Sequence, residues 1–521
     1  MLVEFESNNV GVADMDDSGT ANQPLVIKHL DDIVVLGRYT MLVCLLTELA
    51  FLSQLSNTMY MVYAGSSPMI RGCGNMTFAT MEEACANLHQ CEGLPLELES
   101  QFFSVNEEWE IHCEQRYLER RSTSLQMLGV MIGSLSSGQI SSSFGRKKPM
   151  VVCLTMTGLL SLATYFVNDL VQFTIIRFIL GIFTGGHSTV VMVYLLENIP
   201  KKSRMWINTV INYSPNVIIL GIIAYFFQHW RSLALVISAL HIPAVILMIQ
   251  LHESPRWLVQ RGKIHEARRV ILRIAHIDGD KAKIDEKNLD QILKQEHDQF
   301  EIMGKKRHTY WHVFKKAHLA FPLLILSFSF FACMVVNYAN MFNLGSLSGS
   351  IYLNSILVGS LRYSSNLTCG LLDYKFLCFG RKRAHTACQL LVLVSLLTST
   401  VIFYTGHEEN CGEIVRVCVL IVCAMASQIV IVDSVACNEL FPTSVRTLCY
   451  SFVQLCSRMG IVVAPHVYSW EEIWHYLPYT FMIVVTVMDV ILFEVVLPET
   501  KNKPLEDHIV KRPKKTTARQ A

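Results

Sequence analysis

Long apolar runs recur along this chain, separated by short polar or charged stretches. They fall near 41–63, 122–141, 149–167, 171–195, 205–228 and 232–251, then near 319–339, 346–368, 384–405, 413–434, 447–467 and 474–496. A run of about 20 apolar residues, rising about 1.5 Å per residue as a helix, crosses a hydrocarbon core of about 30 Å. Backbone amides cannot stay unpaired in lipid, so each run predicts a spanning helix. The expectation is an all-α membrane protein with twelve transmembrane helices in two six-helix bundles. A charge-rich stretch divides them. The divisions are a tail at 1–38, an N-terminal bundle at 39–251 with a long loop at 64–120, a linker with amphipathic helices at 252–318, a C-terminal bundle at 319–497 and a basic tail at 498–521. The eighth run is the most broken, interrupted by Arg362, Asn366 and Asp373.

Composition agrees with the pattern. Of 521 residues, 51% are hydrophobic and 17% charged, where a soluble chain carries about a quarter charged. The net charge of +1 gives no sign of a nucleic-acid partner. Charge placement is more informative. Arg146, Lys147 and Lys148, Lys201 and Lys202, Arg381 to Arg383, and Lys511 to Lys515 fall on one side of the spans. Glu107, Glu108, Asp169, Glu408, Glu409, Glu471 and Glu472 fall on the other. Basic loops face the cytosol, so both termini are expected there, with the plasma membrane as the expected location. The first run begins near Met41, after an acidic stretch bearing Asp14, Asp16, Asp17, Asp31 and Asp32. It is too long and too far in for a cleaved leader, and 1–38 reads as a disordered tail.

The 64–120 loop carries Cys73, Cys85, Cys91 and Cys113, which predict two disulfides with three pairings open. Asn75-Met76-Thr77 in the same loop is a glycosylation sequon; the sequons at Asn212 and Asn366 fall inside spans. The remaining twelve cysteines read as packing residues.

Short patterns repeat between the halves. Phe144-Gly145-Arg146-Lys147 is echoed by Phe379-Gly380-Arg381-Lys382, an offset of 235 residues. Glu197, followed by Arg204, is echoed by Glu439, followed by Arg446, an offset of 242. Glu253-Ser254-Pro255 is answered by Pro498-Glu499-Thr500, with 246 residues between the glutamates. Their order implies two bundles from one ancestral unit.

These motifs carry a family resemblance. From Asp31 to Asp507 the chain resembles the organic cation/anion/zwitterion transporters of the major facilitator superfamily. His252-Glu253-Ser254-Pro255-Arg256-Trp257-Leu258, Glu439-Leu440-Phe441-Pro442-Thr443-Ser444-Val445-Arg446, Leu497-Pro498-Glu499-Thr500-Lys501 and Ala224-Tyr225-Phe226 are the most specific pieces. The cysteine-bearing loop separates that family from sugar porters. The resemblance implies a major facilitator fold and alternating-access transport of small organic ions. It also shows a departure: the Asp-Arg pair usual before Gly-Arg-Lys is Ser142-Ser143 here, and Leu377-Cys378 in the second copy.

Two sets of candidate residues follow. Glu197 and Glu439 are expected to pair with Arg146 and Arg381, beside Arg204 and Arg446, as a conformational latch at the cytosolic ends. Arg458 lies well inside the eleventh span and is the leading substrate residue; in the family, arginine there accompanies anions or carnitine-like zwitterions. A planar fork suits a carboxylate, and the competing reading pairs Arg458 with Asp433. Asn337, Tyr338 and Asn340 match a stretch where the family has paired tyrosines. Tyr213 is a weaker candidate, since inter-helix bonding explains it as well as it does Asn57, Tyr60, Asn212, His187 and Gln428. Glu48 and Arg177 are unusual charges within spans. No catalytic, cofactor, metal or partner-protein site is read. The alternative to a carrier is a non-transporting receptor or scaffold on the same fold, motivated by the missing acids at Ser142 and Leu377.

Overall fold

The computed structural model describes residues 36–78, 81–91, 94–200, 207, 210–279, 286–304, 310–375, 380–441 and 443–500. Arg204, Leu377 and Cys378 lie outside the described residues. Twelve helices carry the runs. In the first half they are α1 (Arg38–Ala64), α2 (Arg116–Phe144), α3 (Lys147–Tyr165), α4 (Leu170–Asn198), α5 (Tyr213–Phe226) and α6 (Trp230–Gln250). In the second they are α7 (Ala317–Phe342), α8 (Ile351–Lys375), α9 (Arg381–Tyr404), α10 (Glu408–Leu440), α11 (Thr443–Val463) and α12 (Leu477–Val496). A 3₁₀ segment, Ala464–Glu472, prolongs α11.

Among the described residues, nine helices are long and apolar enough to cross a membrane. The other three are α2 and α8, which are too polar, and α5, whose 14 residues span only about 21 Å. Their polarity follows from position. Burial is 67%, 61%, 72% and 56% across the apolar windows of α1, α4, α7 and α10, but 39%, 33%, 33% and 28% across those of α3, α6, α9 and α12. The second set turns side chains such as Ile242, Ile246, Leu391, Val394, Ile491 and Val495 outward, where lipid replaces protein. The period of three reproduces the internal repeat.

The side bearing the cysteine-rich loop is called outer here and the opposite side inner. Close approach of α2 and α4 depends on small residues. A Cβ on Gly133 would stand 1.8 Å from the Ile182 carbonyl oxygen, and one on Gly185 2.0 Å from that of Val130. Beside this contact, Arg177 of α4 is 1% exposed and bonds to no acid among the described residues. It donates to Gln126 Oε1 on α2 (3.0 Å) and to the Asn57 carbonyl on α1 (2.7 Å), and lies 4.3 Å from the centre of the Tyr60 ring. Three helices thereby share one buried cation.

The outer loop folds as a small unit. Strands β1 (Met69–Cys73), β2 (Met76–Thr77) and β3 (Leu96–Glu99) form an antiparallel sheet in the order β2-β1-β3. Disulfides join Cys73 to Cys91 and Cys85 to Cys113, which resolves the pairing. Asn75 is exposed in the β1–β2 turn. The loop is fastened to the start of α6: Glu108 accepts from the Trp230 indole at 2.6 Å and from Arg231 at 2.5 Å. Burial raises the Glu108 pKa, but the bonds from Arg231 and Trp230 outweigh it and hold the carboxyl below its ordinary value. On the inner side, helices Pro255–Gln260, Ile264–Asp278 and Glu286–Gly304 form the linker around Trp257, Leu258, Ile271 and Leu293.

Gly133→Val is expected to abolish the monodisperse peak of the detergent-purified protein in size-exclusion chromatography. Gly138→Ala, whose Cβ would meet nothing within 4 Å, should leave that peak intact and gain up to about 1 kcal/mol in helix propensity.

Candidate functional site

The repeated motifs converge at the inner ends of both bundles. In the first, Arg146 Nη2 lies 2.7 Å from Glu197 Oε1, with Nε 3.2 Å from both carboxylate oxygens. Glu253 Oε1 accepts from the Arg146 amide at 2.8 Å, and Glu253 Oε2 from the Lys147 amide at 3.2 Å, at the N-terminus of α3. In the second, Arg381 Nη2 lies 3.1 Å from Glu439 Oε1. Glu499 Oε1 accepts from the Arg381 amide at 2.8 Å, and Oε2 from the Lys382 amide at 3.2 Å, at the N-terminus of α9. Glu439 also accepts from the Thr500 hydroxyl at 2.7 Å. A carboxylate at a helix N-terminus meets free amides and the positive end of the dipole together. The glycines are steric requirements: a Cβ on Gly145 would stand 2.2 Å from Glu253 Oε2, and one on Gly380 2.1 Å from Glu499 Oε2. Gly145 also takes φ +98°.

Each ion pair joins helix ends within one bundle, not across the two. Arg446 donates through Nε to the Phe441 carbonyl at 3.2 Å, and its Nη2 is buried without a hydrogen bond. At the departure from the family pattern, the Ser142 carbonyl accepts from the Trp257 indole at 2.9 Å and from Arg261 Nη2 at 2.7 Å. The linker thus closes the end of α2.

The substrate candidates are spread over α5, α7 and α11. Arg458 is half-buried on α11, within electrostatic reach of Tyr213 on α5, Tyr338 on α7 and Tyr450 on its own helix. Among the described residues no hydrogen bond or ion pair of Arg458 is found. The competing pairing with Asp433 is not formed: Asp433 is bonded to His385 and Ser329. Tyr213 donates to Gln54 Oε1 at 2.8 Å, and its ring centre lies 4.5 Å from that of Phe51. It is also within electrostatic reach of Arg458, beside its part in helix packing.

The other two candidates go elsewhere. Asn337 Oδ1 accepts from Arg362 Nη2 at 2.5 Å, so it holds a second buried guanidinium, which also donates to the Cys423 carbonyl at 3.0 Å. Tyr338 lies within electrostatic reach of both arginines. Asn340 is 1% exposed inside the second bundle, donating to the Val336 carbonyl and accepting from Tyr468 at 3.2 Å. Both asparagines are therefore engaged in bonds within the second bundle. Of the weaker residues, Asn57 accepts from Ser161 at 2.8 Å, Asn212 caps α5, and Gln428 donates to Asn366. His187 is fully buried with both ring nitrogens unpartnered. Glu48 accepts from Asn216 at 2.9 Å. An outer cavity between the bundles, lined by Arg116, Glu119, Arg120, Asn343 and Tyr468 among others, is separate from this group.

A family model described as "Sugar (and other) transporter" matches residues 92–509. The chain belongs to that family. This transporter is a multi-pass membrane protein and not an enzyme. It is 27% identical over 416 residues to solute carrier family 22 member 16 of Bos taurus, covering 77% of this chain and 69% of the relative. It is 26% identical over 409 residues to organic anion transporter 3 of Oryctolagus cuniculus, covering 77% and 72%. The inward-open xylose transporter XylE of E. coli shares the major facilitator fold, with a TM-score of 0.63 at 16% identity, covering 89% of this chain and 98% of that one.

Sequence reading gave no site role to Glu253, Glu499 or Arg362. The first two were visible as a repeat, but which groups they face depends on how the chain returns at the end of α6 and α12. Arg362 was visible as a charge interrupting a span.

Glu197→Gln and Glu439→Gln should each destabilise the transporter by about 1.5–3 kcal/mol, the range for hydrogen bonds to charged groups. The two sites share no partner, so their effects should add. Melting of the single and double variants in detergent measures both points.

Proposed function

We propose that this transporter carries small organic ions across the plasma membrane by alternating access, with both termini cytosolic, and that its substrates bear a carboxylate or similar anion, as free anions or zwitterions. The observation that carries this reading is Arg458, a half-buried guanidinium near mid-membrane. Its nearby groups are tyrosines from both bundles, and Asp433 is engaged elsewhere. A cation in that setting needs a counter-ion, and a bound carboxylate supplies one with matching planar geometry. Arg362 adds positive charge behind Tyr338. The names of the bovine and rabbit relatives agree with an organic-ion substrate.

The bundles also support a cycle. Hydrogen bonds between them begin at the outer end, from Gln101 to Gly349 and Ile351, from Arg120 to Ser469 and from Ser124 to Val462. They extend inward to Asn366 of α8 and Ser214 at the start of α5. Near the inner end of α2, Leu135, Ile140 and Phe144 stay exposed. Breaking and remaking the Arg146–Glu197 and Arg381–Glu439 pairs, both formed here, would accompany opening and closing of the inner ends.

Untargeted metabolomic uptake into expressing cells tests the reading. Arg458→Ala should reduce uptake of carboxylate-bearing solutes by about 10- to 100-fold, the equivalent of a lost charge-assisted hydrogen bond. Arg458→Lys should recover only part of it, because an ammonium lacks the fork. Entry of cations but not anions would sink the anionic preference. Saturable binding without flux in proteoliposomes would favour a receptor.

A further inference from the structure

The inner half of the second bundle holds three titratable groups that the substrate cleft does not use. His385 on α9, Asp433 on α10 and Asp489 on α12 are all fully buried. His385 Nδ1 lies 2.8 Å from Asp433 Oδ1, and its Nε2 lies 3.5 Å from Asp489 Oδ2. The Ser329 hydroxyl of α7 reaches Asp433 Oδ2 at 2.7 Å and Asp489 Oδ2 at 3.1 Å, and Gln389 donates to Asp489. The His385 ring stacks on Phe493 with centroids 3.6 Å apart. Two polar atoms are left over: Asp489 Oδ1 and His385 Nε2 are buried without a hydrogen bond.

The internal repeat shows that the fold does not need this cluster. The offsets of 235 and 242 residues place Met150 and Val191 of the first bundle at the positions of His385 and Asp433. Both are fully buried in an apolar core with Ala244 and Met248. One copy is filled by hydrocarbon and the other by two acids and an imidazole. The polar version also stands next to the moving parts. His385 lies one helical turn beyond Arg381, and Asp433 less than two turns before Glu439, on the two helices joined by that ion pair.

Charge counting gives the cluster its ligand. With a neutral imidazole and both acids ionised, it would hold two negative charges in a medium that solvates neither. Like charges sharing a site do not both ionise freely. Two protons neutralise it, one on the imidazole and one on the carboxylate pair, for which Asp489 Oδ1 is the open position. We propose that His385, Asp433 and Asp489 form a proton-binding site, which takes a proton from water and returns it to water as the second bundle changes shape. Its part in transport rests on the carrier reading above; proton binding itself does not.

Cys333 of α7, Cys388 of α9 and Cys437 of α10 face Asp433. Arg362 of α8 faces Cys333, and Cys449 of α11 faces Cys437. Glu494 of α12 faces His385 and is countered by Lys382 at 3.2 Å.

Infrared difference spectra of the full-length protein in nanodiscs, taken between about pH 5 and about pH 8, where histidine chemistry is expected to respond, test the proposal. A protonated-carboxyl band that grows as pH falls, disappears in Asp489→Asn and persists in Glu48→Gln is expected. A band unchanged by Asp489→Asn, or no band, overturns the proposal. The triple variant His385→Met, Asp433→Val and Asp489→Ala, which takes the first bundle's residues at two positions and a small apolar one at the third, should fold and melt without the wild type's pH dependence. Unaltered pH dependence in that variant also overturns the proposal. The nearly isosteric Asp489→Asn keeps the test decisive should the triple variant not fold. A pH-dependent band without substrate flux would keep the proton site and remove the carrier reading; flux without the band would do the reverse.

Discussion

The inner face of this protein depends on one interaction made twice, a carboxylate closing onto the N-terminus of a helix. Glu253 meets the amides that open α3, and Glu499 those that open α9. Alone, a carboxylate against a helix dipole contributes about 0.3–1 kcal/mol. Here the same turn also carries an arginine bonded to a second acid, so bonds to charged groups worth about 1.5–3 kcal/mol each are added. The arrangement fixes three chain segments in one place: the end of the previous helix, the start of the next, and the return of the chain after the last helix of the bundle. Gly145 and Gly380 are what allow the carboxylate in.

Much of the architecture was legible because lipid imposes a single rule on the backbone. Nine helices satisfy it by composition alone among the described residues. The remaining three were harder for physical reasons. The α2 and α8 helices carry serines, glutamines in α2 and Arg362 in α8 within their runs, which lowers their hydropathy. The α5 helix has only 14 described residues. In those places the repeat, more than hydropathy, supports twelve spans. The four loop cysteines announced two disulfides, but their pairing required the fold of the loop, which brings the end of β1 at Cys73 against the 3₁₀ turn that ends at Cys91.

The candidate site was legible in part. Arg458 was conspicuous because a charge inside an apolar run is costly, and that cost does not depend on neighbours. Its surroundings were not legible. Asp433 looked like a natural partner by charge, yet it turns to His385 and Ser329. Asn337 and Asn340 lie three residues apart on α7 but serve different neighbours, Arg362 on α8 and Tyr468 beyond α11. One-dimensional spacing places residues on a helix face; it does not say which helix comes to meet that face.

The loop over the outer face bridges the two bundles. Two disulfides stiffen it internally and the Glu108–Trp230–Arg231 contacts tie it to the first bundle, while Gln101 reaches across to Gly349, Ile351 and Tyr352 of the second. Its attachments are therefore lopsided, stiff on one bank and held by a few hydrogen bonds on the other. A cover fastened in this way would stay with the first bundle in any separation of the two, which would break only the bonds at Gln101 on this seam. The exposed Asn75 turn rides on that cover, so a sugar chain there would travel with the cover and not with the opposite bank.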